Sequence, residues 1–241
     1  MLVKKSNTNN DVEWKNVPST EELAPKQSPV FTGSVSLGRK SGTEVGDNSC
    51  AVGTLVEASG ETSHAEGGGT TASGEASHAE GGETTASGDW SHAEGHSTQA
   101  TGEGSHTEGQ NTQASGLHSH AEGENSIASG LVSHAEGWNT EAKGKCSHAE
   151  GKNTTASGEY QHVQGKYNIE DTNNKYAHIV GNGEDGNTRA NAHTLDWKGN
   201  AWFAGKLSQE GTPTEDKDLV TKKYVDDSRD NLISNIYGRV Y

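Results

Sequence analysis

The feature that most constrains this chain is a period. The pentad Ser-His-Ala-Glu-Gly begins at Ser63, Ser77, Ser91, Ser119, Ser133 and Ser147, with a Ser-His-Thr-Glu-Gly variant at Ser105, so the copies follow one another at a constant interval of fourteen without a slip. Each pentad is followed by a second constant block, in which Ala72, Ala86, Ala100, Ala114, Ala128, Ala142 and Ala156 stand two positions before Gly74, Gly88, Gly102, Gly116, Gly130, Gly144 and Gly158. Asn48 to Gly53 and Ala58-Ser59-Gly60 fit the same frame ahead of these copies, and Gln161-His162-Val163-Gln164-Gly165 is a degenerate last one. A unit of this length is too short for helical-hairpin repeats, which need roughly 33 to 45 residues. It suits two short strands and two tight turns, with glycine supplying backbone conformations closed to other residues. Stacked units then form a parallel β-roll, each strand bonding to its counterpart one coil away at about 4.8 Å, and roughly eight or nine coils would span about 40 Å.

The period also explains a composition that would otherwise signal disorder. Of 241 residues 32 are Gly, and only 28% are hydrophobic and 5% aromatic, whereas an ordinary domain is nearer half apolar with Gly about 7%. Low apolar content with net charge fits a disordered chain, and a strict repeat is the evidence of order that outweighs it. The balance of 19 Lys and Arg against 34 Asp and Glu, a formal −15, disfavours nucleic acid and anionic membrane surfaces as partners. Cys50 and Cys146 have neither disulfide-scaffold nor metal-motif spacing and read as reduced. No stretch approaches the run of about 20 apolar residues that spans a bilayer, and the N-terminus lacks the apolar run of a signal peptide. The expectation is a soluble chain made in a cytoplasm, without membrane insertion.

Alternation along a strand sends successive side chains to opposite faces. Ala65, Thr70, Ala72 and their equivalents are assigned to a narrow interior, and His and Glu of each pentad point outward together. The outward set is His64, Glu66, His78, Glu80, His92, Glu94, His106, Glu108, His120, Glu122, His134, Glu136, His148, Glu150 and His162. Other outward positions vary freely, as in Gly68, Gly82, His96, Gln110, Glu124, Trp138 and Lys152, so the constancy of His and Glu asks for a specific environment. An interior of Ala and Thr buries little apolar area, which points to self-association along the His/Glu face. A hydrogen-bonded ladder of imidazole and carboxylate is expected there. If its pairs are ionised, each Glu raises the pKa of its His and the ladder weakens when Glu protonates. Imidazole suits Zn, Fe, Cu or Ni, but layers about 4.8 Å apart are too widely separated to share an ion at bonds of about 2.1 Å, so no metal and no cofactor are expected. Identical copies along a rod offer no single unequal constellation for catalysis, and the chain does not read as an enzyme. Trp90, Trp138 and Tyr160, at variable coil positions, are candidate glycan contacts.

Residues 1–45 read as an attachment segment with a short β element at Val30, Phe31, Val35 and Leu37, the stretch from Met1 to Ser28 being polar and extended. Residues 46–168 form the roll. Residues 169–211 concentrate the large apolar side chains Ile179, Val180, Leu195, Trp197, Trp202, Phe203 and Leu207 in a β-rich cap over its open end. Residues 212–241 hold a linker and, from about Leu219, a helix with Val225, Leu232 and Ile236 on one narrow stripe, suited to a three-helix coiled coil.

Asn48 to Gly53, together with the Ser-His-Ala-Glu-Gly copies, resembles the Hep/Hag repeats of trimeric autotransporter adhesin heads, in which an NSVAIG-like motif recurs at about this period. The resemblance implies an all-β homotrimer of left-handed parallel β-rolls, with the two apolar motif positions facing the threefold axis. Here those positions hold His and Glu in nearly every coil, which implies a polar axis. The flanks resemble phage proteins. Pro25 to Gly33 is similar to a P-x-x-S-P-x-F-T-G segment of phage tail fibres, and Thr212 to Leu219 with Thr221 to Asp226 is similar to a TKKYVD element of the same proteins. His178 to Gly183 and Asn191 to Gly205 resemble a segment that follows such repeats in phage and prophage structural proteins. These matches imply a trimeric fibre or receptor-binding protein of a virion tail or phage-tail-like particle, docked to a baseplate or other tail protein through its N-terminus and meeting a host-surface glycan or protein. A bacterial surface trimeric adhesin is the rival, disfavoured because no secretion signal or C-terminal membrane barrel is read in the sequence. A tail-associated enzyme acting on cell-wall glycan is weaker still.

Overall fold

The computed structural model describes residues 2–4, 12–14, 35–207 and 222–237. Its body is an all-β parallel solenoid of about 10 turns, followed by a helix at Lys222–Tyr237. The sequence period becomes register: His64 pairs with His78, Ala65 with Ala79, Glu66 with Glu80 and Gly67 with Gly81, and the short strand Thr71–Ala72 pairs with Thr85–Ala86. Parallel pairing extends to Val35–Arg39 ahead of Cys50–Ala58, and to Tyr176–Asn182 behind His162–Lys166. Beyond that point the topology changes. Asn191–Asp196 and then Ala201–Phe203 add antiparallel strands, so the last parallel edge is covered by a hairpin, the expected device against an open edge.

Each coil is filled by four small side chains. Ser63, Ala65, Thr70 and Ala72 are all buried, as are their equivalents along the roll. The half-coils are therefore two versions of one pattern, each with a hydroxyl and a methyl pointing in. The serine was not among the interior residues expected from the sequence. In five coils the hydroxyl bonds locally: Ser63 Oγ donates to the Gly60 carbonyl at 2.7 Å, and Ser77, Ser91, Ser105 and Ser119 donate to the matching glycine carbonyls, whereas Ser49, Ser133 and Ser147 are buried without such a bond. Thr112 and Thr154 likewise donate to the carbonyls of Glu108 and Glu150. A buried hydroxyl without a partner would cost about 1–3 kcal/mol.

The two glycines of a coil share one constraint, since a Cβ at Gly67 would lie 2.1 Å from the Gly81 carbonyl oxygen of the next coil, and differ in a second. Gly67 has φ +111, a region closed to side chains. Gly74 has no such conformation; a Cβ there would lie 2.1 Å from the Gly88 carbonyl oxygen of the next coil. The second set stands at turns as expected, Ser77 N–H donating to the Gly74 carbonyl at 3.3 Å, but its φ is ordinary, so there glycine is required by the closeness of stacked backbones alone. Left-handed turn residues are instead often bulky: Trp90, Val132 and Tyr160 have φ of 56, 54 and 58. Val132 N–H donates back to the Leu117 carbonyl of the preceding coil at 2.8 Å, and Trp90 N–H does the same to Glu75. These inter-coil bonds help hold the costly conformation in place.

The end of the roll is built differently. Gln161 replaces the interior serine and Asn168 the interior threonine, and both are fully buried. Gln161 Oε1 accepts from Ser157 N and Gly158 N, while its Nε2 donates to Asp171 Oδ2 at 3.0 Å and the Tyr176 carbonyl at 2.9 Å. Asn168 bonds the backbone of Thr155 in both directions. Val163 and Ile179 bring the first large apolar groups into this end of the interior. Of the apolar residues expected in the cap, Ile179 is buried, whereas Trp197, Trp202, Phe203 and Leu207 are exposed. Leu2–Lys4 pairs antiparallel with Val12–Trp14, and the rest of the segment expected to be extended, up to Ser28, lies outside the described residues. Val30, Phe31, Ile236's side chain and most of the Thr212–Asp226 motif lie outside the described residues. Among the described residues no helix is long and apolar enough to cross a membrane.

Candidate functional site

In-register pairing forces every outward His of the repeat onto one line. The rings of His64, His78, His92, His106, His120, His134, His148 and His162 stack with centroids 4.7–4.8 Å apart and planes within 11° of parallel. All fifteen predicted ladder residues are thus brought to one stripe. The column continues further than the repeat does. His178 tilts against His162 at 5.2 Å, His193 meets His178 edge-on at 5.5 Å, and Phe203 stacks on His193 at 4.6 Å. Sequence spacing concealed His178 and His193, because His178 falls out of frame with His162 and His193 enters on an antiparallel strand.

The Glu residues occupy the neighbouring line, and the pairing mostly runs between coils rather than within one. Glu94 Oε1 is 3.3 Å from His106 Nε2, Glu122 is 3.1 Å from His134, Glu136 is 3.0 Å from His148 and Glu150 is 3.2 Å from His162. Glu80 and His92 are looser at 3.6 Å, and His64 sits 3.7 Å from Glu66 of its own coil. These side chains are about one-third to one-half exposed. Not every ring is satisfied: the Nε2 atoms of His78, His92 and His120 are buried and have no hydrogen-bond partner. Four sets of His and Glu also bring three ligating atoms each within 4.8 Å of one another, among the described residues.

Stacking changes the electrostatics from those expected of isolated ion pairs. The His120 pKa is lowered from its ordinary value by burial first, then by His106 and His134, with Glu122 and Glu108 opposing. His178 is lowered by burial, His162 and His193, against Glu150. The expectation of a His pKa raised by its Glu partner is corrected at His120. A ring flanked by two other rings loses water and gains like-charged neighbours, and the carboxylates do not offset both.

The candidate glycan contacts do not converge. Trp90 and Tyr160 occupy left-handed turns at equivalent positions of one edge, while Trp138 lies on the strand run that carries Glu124 and Lys152. The Lys152 ammonium sits 4.3 Å from the Trp138 ring centroid, so one face of that indole is already covered by a cation. Cys50 and Cys146 are free thiols, as expected.

Register, interior and stripe together define a parallel β-solenoid repeat protein. Comparison with protein-family models finds no match, and comparison with curated proteins finds no similar sequence.

Proposed function

We propose that this chain is a homotrimeric fibre or receptor-binding protein of a phage or phage-derived tail, attached through its N-terminal segment and mediating adhesion to a host surface. The observation that carries the reading is the His/Glu stripe. It is a straight, partly exposed face over an interior of Ala, Ser and Thr, flanked at its two ends by exposed apolar side chains, Leu37 and Val52 at one and Phe203 at the other. Packing three such faces about an axis would cover these side chains and finish desolvating the ladder. The helix at Lys222–Tyr237 presents exposed Val225, Leu232 and Ile233, which supports a three-helix coiled coil on the same axis. The flanking motifs that resemble tail-fibre segments supply the biological setting, and the repetition of one coil favours a structural role over catalysis.

Sedimentation equilibrium tests the assembly: the expected mass is three times 25.3 kDa, and a monomer at micromolar concentration refutes it. Immunogold labelling tests the setting. Label on tail particles supports the proposal, whereas label on intact cells favours a surface adhesin.

A further inference from the structure

We infer that the stripe binds divalent transition-metal ions, Zn²⁺ being the probe of choice, at three separate sites within one chain. The sites are Glu66–His78–Glu80, His92–Glu94–His106 and His120–Glu122–His134, in each of which the three ligating atoms lie within 4.8 Å of one another. A second and independent observation selects the same three. The buried, unpartnered ring nitrogens of the ladder are those of His78, His92 and His120, one in each set. A polar atom removed from water without a partner is costly, and an ion held between carboxylate and imidazole supplies the missing one.

The fourth set, His134–Glu136–His148, shares His134 with the third, and one Nε2 lone pair serves one ion. The structure chooses between them, because His148 Nε2 is engaged with Glu136 at 3.0 Å while His120 Nε2 has no partner. Occupancy therefore runs on alternate steps of the ladder and stops before His148.

Ring spacing alone argues against shared ions, since two bonds of about 2.1 Å span at most about 4.2 Å and adjacent rings stand 4.7–4.8 Å apart. The carboxylate changes this. Glu94 lies 3.3 Å from His106 Nε2 and Glu122 lies 3.1 Å from His134 Nε2, with the second ring's nitrogen within 4.8 Å of each, so the oxygen adds a third ligand and a small tilt of the two rings toward each other closes the set. Mixed imidazole and carboxylate donors suit Zn²⁺, Ni²⁺, Co²⁺ and Cu²⁺, whereas Ca²⁺ and Mg²⁺ prefer oxygen alone. Three protein ligands leave one position of a tetrahedral ion open, filled by water on a free chain or by a group of a packed copy. The ligands all come from one chain, so the inference does not rest on the trimeric tail reading.

The test uses tag-free full-length protein stripped with a chelator, titrated with ZnCl₂ by calorimetry and assayed for retained metal after desalting. About three Zn²⁺ per chain are expected if each ligand set holds one ion, with a rise in Tm on loading. His78→Gln, His92→Gln and His120→Gln each remove one ion, the triple variant removes all three and the Tm rise, and His162→Gln leaves the count unchanged. Glu80→Gln, Glu94→Gln and Glu122→Gln provide a second series that keeps the ring stack, should a His variant fail to fold by circular dichroism. No retained Zn²⁺, an unchanged count in the triple variants, or equal loss in His162→Gln overturns the inference, as does equal retention of Mg²⁺. Sedimentation of the same samples separates the two readings: a trimer without ions sinks only this inference, and a monomer with three ions sinks only the tail-fibre assembly.

Discussion

Replacing Gly102 by Ala tests directly whether coil stacking, rather than turn geometry, fixes the second glycine of each repeat. Gly102 has no left-handed backbone, so the added methyl brings no conformational strain of its own. Its Cβ would lie 2.1 Å from the Gly116 carbonyl oxygen and 2.7 Å from the carbonyl carbon, where real Cβ contacts essentially never fall below 3.0 Å. The obstacle is backbone, so relief requires the two coils to part locally. The bonds that span them here are Gln99 N to Thr112 O and Thr101 N to Ala114 O, both 2.9 Å, and Gly102 N to Ala114 O at 3.2 Å. Parting far enough to relieve the contact carries these bonds to about 3.6 Å or beyond, where they no longer hold. Three bonds at about 1 kcal/mol net each give a loss of about 3 kcal/mol. Gly68→Ala is the control, because nothing lies within 4 Å of a Cβ there and its φ is ordinary. It is expected to be neutral or to stabilise by about 0.4–1 kcal/mol through the unfolded chain. Urea unfolding followed by circular dichroism gives both values. A loss at Gly102 below about 1 kcal/mol, the worth of a single such bond, or an equal loss at Gly68, would refute the stacking argument.

Two further perturbations probe the end of the roll. Asp171→Ala removes the acceptor for Gln161 Nε2 and for the Tyr176 amide at 2.8 Å, stranding two donors at a cost of about 2–4 kcal/mol; amide exchange at Tyr176 should accelerate, and an unchanged urea midpoint would count against the network. The lowered pKa of His178 means the folded state keeps this ring neutral where the unfolded chain would protonate it. Its contribution is fully present above the unfolded pKa of about 6.5 and is lost as pH falls through the lower folded value. In chelator-treated protein, Tm should therefore fall on going from pH 7.5 to pH 5.5, and less steeply in His178→Asn; a Tm that holds until carboxylates protonate near pH 4 would restore the picture of His held charged by Glu150.

The solenoid was legible because its cause is periodic. Constant spacing of the pentads dictates parallel register, and alternation alone places Ala inside and His with Glu outside. What escaped depends on approach distances and broken periods. Ser63 shares a face with Ala65 by the same alternation, yet a hydroxyl reads as exposed until its bond to the Gly60 carbonyl is known. Trp90 and Val132 look like free surface choices, and nothing local marks them as left-handed turns held by bonds to the preceding coil. His178 and His193 sit off the repeat frame, so the extension of the ring column into the hairpin had no sequence signal. Pairing of Glu94 with His106 of the next coil depends on which way the side chains lean, which spacing does not encode.

The near identity of successive coils has a consequence for how the chain finds its register. Two coils that each present Ser, Ala, Thr, Ala and two glycines can stack on one another in any order, and a whole coil looped out costs little in local pairing. The interior of the roll therefore carries almost no information about which coil belongs where. That information is concentrated at the end, where Gln161, Asn168 and Ile179 occupy positions held elsewhere by Ser, Thr and Ala, and where Asp171 and the Tyr176 carbonyl recognise a glutamine that stands at this position in no other coil. Those few residues act as an address, against which the other coils are counted.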